Sequence, residues 1–144
     1  MAEKYISVTP ITLNSKMGVY LMAKVTRPED LLPLTPIAFH ILLAVSDDSR
    51  HGYGIMKEVE RMTEGKLLIS AGTLYNAIKR LLRDMLIKVV DEEPAAADDP
   101  RRTRYYRITI LGQRTLEAEY HRLEETVRVA QQKPVLGRFG ILYL

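Results

Sequence analysis

From Ser70 to Arg83 the chain carries Thr73, Tyr75, Asn76, Lys79, Arg80 and Arg83 between the apolar residues Leu74, Ile78, Leu81 and Leu82. These polar side chains are hydroxyls, an amide and cations, not a nucleophile with its base. On one side of a helix they suit the reading of nucleic acid. Asn76 can pair bidentately with adenine, and Lys79 and Arg80 can meet guanine or phosphate. Thr73 and Tyr75 can reach phosphates or a thymine methyl. Backbone N–H groups at the helix start, from Ser70 to Thr73, can hold a phosphate. A second cluster, Arg101, Arg102 and Arg104, supplies long cations that can cross a sugar–phosphate backbone or enter a minor groove. It follows directly on Asp91, Glu92, Glu93, Asp98 and Asp99, so the local charge reverses within a short stretch.

Other chemistries find little support. The chain has no cysteine, which removes disulfide scaffolds, thiolate metal sites and thiol catalysis. His40, His51 and His121 fall on separate elements with no metal-ligand spacing. Phosphate-cradling glycine loops, nucleophile elbows and paired carboxylates on a scaffold are all missing. The reading is of a protein that is not an enzyme, with no cofactor and no metal. A formal charge of +3 is too small to argue for nucleic acid alone, so the local distribution carries the weight. No apolar run reaches the length of a membrane helix, and the N-terminus lacks a basic region followed by an apolar core. The expected location is cytoplasmic, with no membrane partner.

The elements that must position these residues follow from periodicity. At 144 residues, with 47% hydrophobic and 27% charged, the chain suits one domain with appendages. Residues 1–35 read as an N-terminal arm or extension; their strand-prone segments around Asn14–Gly18 suit a hairpin or an extended arm, or else a loose leader. Thr35–Pro36 is an N-cap followed by proline at the first helical position, and the first helix should bury Ala38, Ile41, Leu42 and Val45. Residues 46–50 read as a polar connection. A second helix after His51–Gly52–Tyr53–Gly54 should bury Ile55, Val59 and Met62 and stop at Gly65. Ser70 caps the third helix, whose buried stripe is Leu74, Ile78, Leu81, Leu82 and Met85. Residues 87–90 and 104–108 read as two strands around an acidic loop, with one of Tyr105 and Tyr106 buried and the other exposed.

The last long helix should start near Leu111. Its Leu116, Tyr120, Leu123, Val127 and Ala130 are spaced 4, 3, 4, 3, a heptad stripe that suits a second copy of the chain. The expected architecture is mainly α with a small β-hairpin: a winged helix-turn-helix over 36–109, a dimerisation helix over 110–133 and a tail over 134–144. A winged-helix module that binds protein instead of DNA is the alternative, and the arginine cluster argues against it. Tyr53 is expected to pack between helices. Gly72 either lets backbone approach a phosphate or serves the helix turn.

Three stretches resemble a known family. His51–Gly52–Tyr53–Gly54–Ile55 with Lys57 and Glu58 is similar to the opening of the second helix in PadR-family transcriptional regulators. Residues 68–81 resemble that family's recognition helix, and 99–109 with Leu111–Gly112 its wing strand and the turn into the tail helix. The resemblance covers about residues 34–125. It implies a homodimeric, repressor-like protein whose two recognition helices read a pseudo-palindromic operator on double-stranded DNA. It also leaves open a small-molecule effector at the dimer interface. The chain departs from the pattern at Gly54, often acidic in the family, which should loosen that helix start. Its C-terminal region has room for about one helix, and its leader is long. Some short members are the period-extender type of clock regulator, but no residue here distinguishes that subtype.

Overall fold

The computed structural model describes residues 26–90 and 104–136. Helix α1 (Pro36–Ala44) begins where Thr35 accepts a hydrogen bond from the Ala38 N–H at 3.2 Å. The helix is apolar on nearly every side, so it sits in the middle of the fold. Ile41, Leu42 and Val45 have no solvent exposure, and Ala38 is half-buried.

The 46–50 connection differs from expectation at its end. Arg50–His51 form a short strand, β1, and the Arg50 Nε donates to the Ala44 carbonyl at 2.6 Å, satisfying the C-terminal end of α1. Two residues are too few to show an alternating pattern, so this strand leaves no periodic trace in the sequence.

Helix α2 (Gly52–Met62) is capped by an imidazole. His51 Nδ1 accepts from the Gly54 N–H at 2.9 Å, which requires that nitrogen to be unprotonated. The helix start expected to be loosened by Gly54 is therefore tied, and a Cβ at that position would come within 3.3 Å of the His51 ring. Ile55 and Val59 are fully buried, while Met62 is half-buried. Tyr53 does not pack between helices. It is 51% exposed, stacked on His51 with ring centroids 6.4 Å apart, with Lys57 Nζ 5.7 Å from its ring centre.

On the next turn Arg61 Nε donates to the Glu58 carboxylate at 3.0 Å. This hydrogen bond holds the Glu58 carboxyl below its ordinary value; burial opposes the shift, and Arg50 and the Arg61 charge reinforce it. A carboxylate shifted down in the folded state stabilises the fold above its unfolded value, about 4.5, and loses that contribution as pH falls through the lower folded value. Arg61 is 72% exposed, so solvent keeps the effect small. Glu58→Gln should therefore melt earlier than wild type at neutral pH, and the two melting curves should converge as pH drops below 4.5. An equal deficit at neutral and acid pH would contradict the ion-pair account.

Helix α3 (Ala71–Arg83) starts at Ser70, whose hydroxyl accepts from the Thr73 N–H at 3.3 Å. Leu74, Ile78 and Leu81 are buried against α1 and α2, and Leu82 is half-buried. Met85 is not part of this stripe. It lies beyond the helix end with φ +57° and is 48% exposed, because the chain reverses there and Leu86 takes the buried place.

Strands β2 (Ile87–Val90) and β3 (Tyr105–Ile108) pair antiparallel, with Ile87 opposite Ile108 and Val90 opposite Tyr105. The wing hairpin is thus part of a three-stranded sheet in the order β1-β3-β2. Tyr106 is buried, and Tyr105 is half-buried with its ring edge on His51.

Helix α4 (Ile110–Gln131) begins at Thr109, whose hydroxyl accepts from the Gly112 N–H at 3.0 Å and donates to the Met85 carbonyl at 2.6 Å. The Thr109 N–H also bonds the Leu86 carbonyl at 3.0 Å. These bonds tie the end of the wing to the end of α3. The first half of α4 packs on α1 and on a 3₁₀ turn, Pro28–Leu31. Its Glu119 is buried and takes two hydrogen bonds from Arg122, at 2.7 and 2.8 Å. Pro28 is buried too, and Leu31 and Leu34 lie against the core, so residues 28–34 form part of this domain's wall. The hairpin-or-arm reading of residues before 26 and most of the 134–144 tail lie outside the described residues.

Candidate nucleic-acid interface

The polar side of α3 divides into three strips. Gly72, Asn76, Lys79 and Arg83 are spaced 4, 3, 4 and form the line farthest from the buried stripe; all four are exposed. On one flank, Thr73, Asn76 and Arg80 line a groove facing residues 31–38. On the other flank stands Tyr75, 54% exposed, with its hydroxyl end beside Gly52 at the start of α2.

Asn76, Lys79 and Arg80 make no hydrogen bond or ion pair among the described residues. Arg83, by contrast, donates to Asp84 at 3.0 Å. Ser70 and Thr73 are joined, the Ser70 hydroxyl donating to Thr73 Oγ1 at 2.9 Å.

Tyr75 and Arg104 both act electrostatically on the Tyr106 phenol of β3. Burial pushes the Tyr106 phenol up, Arg104 pulls it down, and Tyr75 adds a smaller upward effect, so the three side chains share one electrostatic neighbourhood. Arg104 is exposed just before β3. Arg101 and Arg102 lie outside the described residues.

Two further features bear on this face. Lys88 and Arg107 sit directly opposite each other on β2 and β3, both exposed. The alternation Ile87–Lys88–Val89 was the available signal for Lys88. The second feature is Gly72. It lies in the first turn of α3 with nothing within 4 Å of where a Cβ would stand. A side chain there would meet no other part of the fold.

The heptad stripe on α4 is split by the domain. Leu116 packs against the core of its own chain, and Ala130 is half-buried. Tyr120, Leu123 and Val127 remain exposed and line a shallow groove with Glu124 and Arg128. Leu116 is thus half-buried on its own domain, while Tyr120, Leu123 and Val127 of the same stripe stay exposed.

Among the described residues no cluster of three His, Asp or Glu could hold a metal ion, and no helix is long and apolar enough to cross a membrane.

Comparison with known proteins agrees with this geometry. The family model described as the transcriptional regulator PadR-like family matches residues 41–118. An uncharacterized protein of Lysinibacillus sphaericus is 32% identical over 72 residues, which span 50% of this chain and 63% of that relative. A transcriptional regulator from Clostridium thermocellum is similar in structure with a TM-score of 0.58 and 28% identity, covering 68% of this chain and 89% of that one. A PadR family transcription regulator from Clostridium difficile shares the fold, with a TM-score of 0.56 and 24% identity over 68% of this chain and 97% of its own. With the family model spanning more than half of its residues, and with helix α3, the wing and helix α4 in the order the fold requires, this chain belongs to the PadR-like family of transcriptional regulators.

Proposed function

We propose that the protein is a cytoplasmic, homodimeric repressor that reads a pseudo-palindromic site on double-stranded DNA through α3 and the wing. The observation that carries this reading is the set Asn76, Lys79 and Arg80, unpartnered within the described residues and set beside Gly72. A cation with no internal partner can contact phosphate without breaking a bond first. Asn76 carries base readout, while Lys79, Arg80, Arg104 and the Arg101–Arg102 pair supply phosphate or minor-groove contacts. Ser70, Thr73 and Tyr75 hold backbone phosphates on either side of the helix. Tyr120, Leu123, Val127 and Ala130 join two copies through α4, which sets the spacing of the two recognition helices along the duplex.

Two substitutions separate base reading from phosphate contact. Asn76→Ala should relax sequence preference, with a cost of about 1–3 kcal/mol on the cognate site and little change on random DNA. Lys79→Ala should weaken binding to all duplexes alike and lower the slope of log affinity against log salt by about 1 per half-site. Equal losses on cognate and random DNA for Asn76→Ala would remove that residue from base readout.

A further inference from the structure

The groove on the α1 flank of α3 is a built cavity of about 320 Å³, next to the proposed reading face. Its walls include Leu31, Pro33, Ile37, Ala77 and Leu81. At one side it is rimmed by Asn76 and Arg80, neither of which has a partner among the described residues. Asp84 also stands on the rim, but its carboxylate is held by Arg83 at 3.0 and 3.5 Å. The net invitation of the rim is thus to an anion.

We propose that this groove binds a small alkyl carboxylate, and that the bound carboxylate competes with DNA for Asn76 and Arg80. The chemistry follows from the lining. A planar guanidinium matches a carboxylate through two parallel N–H donors, and the Asn76 amide supplies a third. The cavity carries no aromatic side chain, so nothing there offers a ring a stacking partner, and its walls are aliphatic apart from Thr35 and Thr73. Its volume is at the small end of ligand sites, which suits a short chain. The competition clause rests on the DNA-reading role of α3; the binding clause does not.

The test begins without DNA. Octanoate is titrated calorimetrically into the full-length protein, with 1-octanol and octylamine as probes of charge. Octanoate should bind saturably at one per chain, octanol about tenfold more weakly for lack of the charge-assisted pair, and octylamine not at all. Arg80→Gln, on the exposed side of α3, should reduce octanoate to the level of octanol. Ala77→Leu, which fills the groove, should abolish both, with thermal melting used to check that it folds. Absence of saturable octanoate binding, or binding that survives both substitutions, would overturn the site while leaving the DNA reading intact. Octanoate should then displace a bound duplex from wild type and leave the duplex bound to Ala77→Leu. Octanoate that binds wild type yet leaves duplex affinity unchanged would overturn the competition.

Discussion

Gly112→Ala should destabilise the protein by at least about 3 kcal/mol, although alanine is normally the better helix former. Gly112 is the third residue of α4 and lies against the turn that ends α3. A Cβ there would overlap the Leu86 carbonyl oxygen and come within 2.7 Å of Ile108 Cγ1. The neighbour is backbone, so it cannot swing aside. That carbonyl also accepts the Thr109 N–H, and the Thr109 hydroxyl caps α4 through the Gly112 N–H. One added methyl group therefore separates the wing, the end of α3 and the start of α4 together. Gly72→Ala is the contrasting case. With open space around it, the same substitution should stabilise the fold by about 0.5 kcal/mol through helix propensity, and should weaken DNA binding if backbone approaches a phosphate there. Denaturant unfolding of the two variants measures both signs. A Gly112→Ala protein as stable as wild type would mean that α4 does not seat on Leu86 as described.

Leu123→Glu should convert the protein to monomers without unfolding it. Beyond Glu119 the α4 helix is almost entirely exposed, so this half owes little to its own domain. Leu123 sits in the middle of the exposed stripe between Tyr120 and Val127, and Glu124 is its neighbour. A charge placed there repels its copy across a two-fold axis and loses its hydration on burial. Light scattering should report half the mass, and circular dichroism an unchanged helix content. Affinity for a two-half-site duplex should fall by at least about 100-fold, since the second recognition helix is no longer held near its half-site. An intact dimer would exclude the α4 stripe as the interface.

The parts of the fold that could be read in the sequence are those with local physical signatures. Thr35–Pro36 and Ser70 are caps recognisable by residue type, and the structure finds both in that role. The stripe Leu74, Ile78 and Leu81 repeats with the helix, and the burial of Tyr106 beside the half-exposed Tyr105 follows strand alternation. What escaped depends on contacts between distant residues. Strand β1 exists because Arg50 and His51 find β3 more than fifty residues later in the chain. His51 as a cap is not legible, since imidazole rarely does that work. The reach of Leu116 to its own core, and of the Pro28–Leu31 turn to α4, is decided by tertiary packing. The site residues on α3 were legible as a polar face. Which of them pair internally was not, and that distinction separates Arg83 from Lys79 and Arg80.

Whether α3 and the wing read DNA is decided by fluorescence anisotropy across a salt series. One labelled duplex carries the DNA upstream of the protein's own gene, and the other is its scrambled counterpart. Binding to the upstream duplex should be tighter and fall steeply as salt rises, with weak salt-sensitive binding to the scrambled one. Binding that is absent or insensitive to salt on both duplexes would contradict a DNA-reading role for this face.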